Sequence, residues 1–205
     1  MDIFSTDIPA VKLIRPKRFG DHRGYFAETY SLPKLVEAGI DVAFVQDNES
    51  LSAEVGTVRG LHFQSPPFAQ DKLVRCVQGS LLDVAVDIRK GSPTFGKHVS
   101  AVLSAENGDQ LLVPKGFAHG FATLLPDTMV MYKVTDVYSP ECDAGLLWKD
   151  PALGIDWQTA EEDAVLSDKD VKLPTLAELD SPFVYDPVND GIAPGTAPGK
   201  VETNA

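Results

Sequence analysis

Two stretches of the chain carry side chains whose types and spacing could do chemistry. RGLHFQSPPFAQDK (59–72) sets one imidazole, His62, between two cations, Arg59 and Lys72, among Leu61, Phe63 and Phe68. GDQLLVPKGFAHGFAT (108–123) carries a second imidazole, His119. Imidazoles on neighbouring strands can ligate a transition metal, and a single imidazole can instead move protons, because its charge changes near neutral pH. A third possibility is a buried histidine that only satisfies its hydrogen bonds.

These residues need rigid elements to hold them, and the pattern around them is that of β-strands. GTVRGLHF, KLVRCVQGSLLDVAVDI, HVSAVLS, DQLLVPKGFAHGFATLL and TMVMYKVTDVYS are rich in Val, Leu and aromatics, with period two or short apolar runs, and Gly, Pro, Asn and Asp turns separate them. Only LPKLVEAG (32–39) and TAEEDAV (159–165) read as helical. Closely spaced strands without alternating helices predict an all-β sandwich or barrel. At 205 residues the chain is long enough for one domain, expected over residues 1–180. From Ser181 onward Pro and Gly dominate, which predicts a loosely held tail over 181–205.

Composition narrows the partners. A net charge of −12 and an isoelectric point near 4.6 argue against nucleic acid and anionic membranes. A few converging arginines could still bind a small anion. Cys76 and Cys142 are too few for a disulfide framework and are expected, with Trp148 and Trp157, to pack. With no signal peptide and no apolar run of about 20 residues, the chain reads as cytoplasmic.

The spacing around the two histidines resembles that of the cupins, jelly-roll sandwiches recognised by two metal-binding motifs. Gly108, Pro114, Gly116 and His119 match the second motif, with Thr123 where Asn is usual. In the first motif Gly56 and His62 match, but Gln64 replaces the second histidine, and Phe68 or Ala69 the glutamate. A divalent metal takes three or four nitrogen, sulfur or carboxylate donors, and an amide oxygen is a poor substitute. The resemblance therefore implies a cupin-type jelly roll with a few short helices and no metal site, leaving His62 free to act as a base.

A more specific resemblance covers about Val11 to Pro174. DHRGYFAETY, FVQDNES, VRGLHFQ, DKLVRCVQGSLLDVAVDIRKGSPTFG, LLVPKGFAHGF, YKVTDVYSPECDAGLLWKDPALGIDW and LSDKD, in this order, are similar to the dTDP-4-dehydrorhamnose 3,5-epimerase family. The resemblance implies a homodimer that takes a dTDP-linked 4-keto-6-deoxyhexose and inverts carbons 3 and 5, without a metal or organic cofactor. It implies His62 as base, Tyr132 as acid, Lys72 beside the carbon-4 oxygen, and Asp170 as the carboxylate that polarises His62. Asp83 is a rival for that last role, since LLDVAVD points alternate residues inward.

For the nucleotide-sugar the resemblance implies Arg23, Phe26 and Glu28, the run Gln46, Asp47 and Asn48, then Arg59, His119, Asp143 and Lys169. It implies Tyr138 as the residue that stacks on the base, and N-terminal strands, with Phe26 and Glu28, that complete the partner's site. Arginine suits a diphosphate because its planar fork makes paired, charge-assisted bonds. Asp143 stands where Glu is commoner, and Asp71 replaces a small residue beside Lys72. The sequence leaves open an epimerase acting at one carbon only, or a related nucleotide-sugar isomerase. A metal-dependent cupin oxygenase and a non-catalytic sugar-nucleotide binder are the readings from other classes.

Overall fold

The structure is a computed structural model and describes residues 1–187. In chain order its elements are β1 (Asp2–Ser5), β2 (Lys12–Arg15), β3 (Arg18–Asp21), β4 (Gly24–Ala27), the helix α1 (Leu32–Glu37) and β5 (Gln46–Ser52). There follow β6 (Val58–Gln64), β7 (Lys72–Gln78), β8 (Ser80–Asp87), β9 (His98–Ser104), β10 (Gln110–Val113), β11 (Phe117–Thr123), β12 (Thr128–Val134) and β13 (Asp143–Gly145). One sheet has the order β1-β2-β10-β7-β12-β5 and the other β13-β6-β11-β8-β9, while β3 and β4 form a separate hairpin. Neighbouring strands pair antiparallel. The fold is the all-β jelly-roll sandwich, and among the described residues no helix is long and apolar enough to cross a membrane.

Alternation along the strands explains where the core lies. Leu81 and Ala85 of β8 and Phe117 and Phe121 of β11 meet Val74 and Cys76 of β7, Leu111 and Val113 of β10 and Val130 of β12 between the sheets. Asp83 falls between Leu81 and Ala85, His119 between Phe117 and Phe121, and Tyr132 two residues beyond Val130. All three therefore point into the sandwich. The opposite faces of β8 and β11 carry Leu82, Val84, Val86, Ala118 and Ala122, which pack under Trp148, Leu153 and Trp157 of the C-terminal segment. Buried on both faces, these strands read as nearly continuous apolar runs. A third cluster, Ile14, Leu73 and Leu112 beneath Leu35 of α1 and Ile40, covers the outer face of the six-stranded sheet.

Two local expectations are corrected. The segment 159–165 contains only a 3₁₀ turn, Glu161–Asp163. All three of its residues are exposed, so no apolar face stabilises a longer helix, and Val165 is extended beside Thr57. Packed contacts also continue past residue 180. Phe183 stacks edge-on against Phe63 at 5.9 Å, and Tyr185 N donates to Lys90 O at 2.9 Å. The remainder of the expected tail, 188–205, lies outside the described residues. Cys76 and the two tryptophans are buried, and Cys142 is half-buried with a free thiol.

Candidate active site

A cavity of about 450 Å³ opens between the sheets, and His62, Lys72, His119, Tyr132, Arg59 and Lys169 are among the residues lining it. His62, Arg59 and His119 come from the five-stranded sheet, Lys72 and Tyr132 from the six-stranded one. The cavity therefore has a basic histidine wall facing a lysine–tyrosine wall.

Strict alternation would turn Arg59 and His62 to opposite faces of β6. A register shift prevents this: His62 pairs with His119, but Arg59 pairs with Phe121, so three steps on β6 span two on β11. The extra residue resets the parity, and both polar side chains face the cavity while Val58, Leu61 and Phe63 stay in the apolar cluster behind. The shift depends on glycine. Gly60 has φ +128°, and a Cβ there would lie 2.6 Å from Gly120 Cα and 2.8 Å from His119 O.

Each of the two cavity histidines has its own carboxylate. His62 Nε2 lies 2.6 Å from Asp170 Oδ1, and His119 Nε2 lies 2.8 Å from Asp83 Oδ1. Asp170 is thus the partner of His62, and the rival Asp83 belongs to His119. A carboxylate acceptor puts the ring proton on Nε2, leaving Nδ1 of His62 as the basic nitrogen. Burial alone would raise the Asp170 carboxyl, but the His62 bond and charge, the Gly60 amide and Ser167 outweigh it and hold it below the usual carboxylate range. Asp170 reaches the site because the C-terminal segment, after crossing the outer face of the five-stranded sheet, forms a 3₁₀ turn at Asp170–Lys172 against β6.

The opposite wall is tuned by burial. Desolvation pulls the Lys72 ammonium down to about 8, against the opposing pull of Asp83 and Asp143. Its Nζ donates to His62 O at 3.4 Å. Burial raises the Tyr132 hydroxyl above its ordinary value, so Tyr132 keeps its proton to higher pH than a tyrosine in water. Asp83, fully buried, has one oxygen on His119 and the other without a hydrogen-bond partner.

At the mouth, Asp143 Oδ2 accepts from the Tyr138 hydroxyl at 3.0 Å and from Lys169 Nζ. Tyr138 itself stands 58% exposed. Arg59 is held by Ser52 Oγ at 3.1 Å and Leu51 O at 3.2 Å. Of the β5 run, Gln46 bonds Asn48 at 2.7 Å on the inward side, whereas Asp47 turns outward to Lys133 at 2.8 Å and away from the cavity. Arg23, Phe26 and Glu28 do not line the cavity of a single chain. Arg23 pairs with Asp21, Glu28 with Lys34 at 2.6 Å, and Phe26 is 66% exposed.

Sequence reasoning missed Ser167, whose Oγ accepts from the Asp170 amide at 3.2 Å, and the Gly60–Gly120 contact. The G in VRGLHF was a signal for the second, since glycine inside a strand marks a bulge or close approach. Gln64 turns its amide to backbone groups rather than toward His62. Among the described residues no three His, Cys, Asp or Glu side chains converge as a metal site would require.

The family model described as dTDP-4-dehydrorhamnose 3,5-epimerase matches residues 5–178. A Sinorhizobium fredii protein of that name is 60% identical over 181 residues, 88% of this chain and 92% of its own. A Bacillus anthracis dTDP-4-dehydrorhamnose 3,5-epimerase crystallised with TDP and PPi is similar with a TM-score of 0.82 and 52% identity, over 85% of this chain and 98% of that one. A Legionella pneumophila dTDP-6-deoxy-D-glucose-3,5-epimerase, solved in complex with dTDP-4-keto-L-rhamnose, gives a TM-score of 0.86 at 45% identity, over 90% of this chain and 98% of that one.

Proposed function

Since the chain belongs to the dTDP-4-dehydrorhamnose 3,5-epimerase family, we propose how its own residues divide the work of that reaction. The protein is an isomerase of dTDP-L-rhamnose biosynthesis, converting dTDP-4-keto-6-deoxyglucose to dTDP-4-keto-L-rhamnose by inverting carbons 3 and 5. Both carbons flank the carbon-4 ketone, so each can lose a proton to give an enolate. His62 Nδ1 removes that proton, and Asp170 steadies the imidazolium that results. The Lys72 ammonium faces the developing oxyanion. Tyr132 returns a proton to the other face of the same carbon. The observation that carries this division is placement: the base and the acid project from different sheets into one cavity, as inversion of a centre requires.

Incubation with dTDP-4-keto-6-deoxyglucose in deuterated water tests the scheme by NMR. Deuterium at carbons 3 and 5 is the expected result. Label at one carbon would reduce the reaction to a single-centre epimerisation, and no label would remove the enolate.

The alkaline limb of activity follows from the two proton-bearing groups. Lys72 must be charged, and its value near 8 lies below its ordinary 10.5, so activity falls as pH rises past about 8. Tyr132 is shifted upward and does not set this limb. Lys72→Arg, whose guanidinium keeps its charge throughout this range, is expected to move the limb to higher pH. A pH–kcat profile unchanged by that substitution would assign the limb elsewhere.

The β3–β4 hairpin serves a second copy of the chain. Phe19, Tyr25 and Phe26 stand exposed on it, and Arg23 and Glu28 lie outside their own cavity. In a homodimer these residues complete the partner's nucleotide site. Mixing inactive His62→Ala chains with inactive Arg23→Ala chains then restores activity, because one site in each mixed dimer receives both intact residues. If the hairpin serves its own chain, mixing restores nothing.

A further inference from the structure

We infer that Gln64 is a positioning residue for nucleotide binding, whose buried amide sets the orientation of Tyr138. This rests on the proposed role of Tyr138 as the surface on which the base stacks. Gln64 is 5% exposed, and its three hydrogen bonds all go to backbone. Its Nε2 donates to Phe68 O at 2.7 Å and to Val137 O at 3.1 Å, and its Oε1 accepts from Ser139 N at 2.7 Å. Both amide protons and one acceptor direction are thereby used.

Val137 and Ser139 flank Tyr138, so one side chain grips the peptide group before it and the peptide group after it. Fixing both planes fixes the two backbone torsions of Tyr138, and with them the direction of its Cα–Cβ bond. The far end of the ring is held from the same place. Asp143, which accepts from the Tyr138 hydroxyl, is the register partner of Gln64 across β6 and β13. An exposed ring on a loop loses orientational freedom when it stacks on a ligand; here that freedom is already removed, which favours binding without a further contact. Gln70 Nε2 on Asp136 O at 2.8 Å ties the preceding turn of the same loop. The position that would carry a cupin's second metal histidine is thus occupied by a clamp on the loop that bears Tyr138.

Gln64→Glu keeps the size and the acceptor for Ser139 N but removes both donors while ionised. Calorimetry with dTDP as the probe is expected to show binding weakened by about tenfold. KM for the dTDP-sugar rises in parallel, while kcat stays within about twofold of wild type. Lowering the pH restores part of the affinity, since a protonated carboxyl regains one donor. Unchanged dTDP affinity, or a fall in kcat at constant KM, overturns the inference. Tyr138→Ala supplies the separate control, because base stacking on an aromatic is worth roughly tenfold or more. Loss of dTDP binding in Tyr138→Ala but not in Gln64→Glu rejects the clamp alone, and no loss in Tyr138→Ala rejects the stacking role itself. Should Gln64→Glu fail to fold, amide exchange in the wild type decides: Ser139 N–H is expected to exchange slowly, and open-loop exchange there excludes the clamp.

Discussion

Replacing His62 with alanine is expected to abolish solvent exchange and epimerisation together. Without Nδ1 no group on the histidine wall is placed to take the proton, and loss of a general base costs about 10²–10⁴-fold. His119 does not substitute, because it projects from the neighbouring strand β11 and not from the position of His62 on β6. Tyr132→Phe behaves differently. His62 still forms the enolate, but only His62 can return a proton, and it does so to the face it came from. That variant exchanges deuterium into recovered substrate without inverting the centre. NMR of recovered substrate in deuterated water checks both. Exchange surviving in His62→Ala, or inversion near the wild-type rate in Tyr132→Phe, would break the assignment of roles.

The second large effect is structural. Gly60→Ala places a methyl 2.6 Å from Gly120 Cα and 2.8 Å from His119 O, at a φ of +128° that an alanine rarely adopts. Strain of this kind and overpacking together cost roughly 2–5 kcal/mol. For a domain of this size that lowers the melting temperature by about 5–15 °C. Activity falls with it, because β6 and β11 must part to admit the methyl, and the Gly60 amide that steadies Asp170 moves with them. Thermal melting with a parallel assay checks the pair. A stable, active Gly60→Ala protein would mean that the register shift does not depend on glycine.

Much of this was legible in the order of residues, and the remainder has physical reasons for being hidden. Period-two patterning and apolar runs identified β6 to β12, the doubly buried β8 and β11 included, but not the short β1 to β4 and β13 or the polar β5 (QDNESLS). His62 stood out through its neighbours Arg59 and Lys72. The parity of Arg59 and His62 was not readable, since a register shift is a property of the strand pair and only Gly60 hints at it. Family resemblance put Asp170 on His62, while the alternation in LLDVAVD kept Asp83 as a rival. Only the path of residues 146–170 over the sheet decides between them, and that path is tertiary. The turn at 161–163 failed as a helix because its acidic residues have no apolar stripe to bury. Phe183 and Tyr185 were hidden by the Pro- and Gly-rich composition around them. Arg23, Phe26 and Glu28 emerged through family resemblance alone, and a single chain gives them nothing to touch in the cavity.

The His62–Asp170 bond joins residues 108 positions apart. Asp170 lies beyond the last strand of either sheet, at the end of the segment that covers the five-stranded one. The base is therefore finished only when the last covering segment has docked. Strands paired without that segment leave the imidazole without its carboxylate and the cavity without its Lys169 wall. Turnover therefore reports that the covering segment has docked, which a β-sheet signal alone does not.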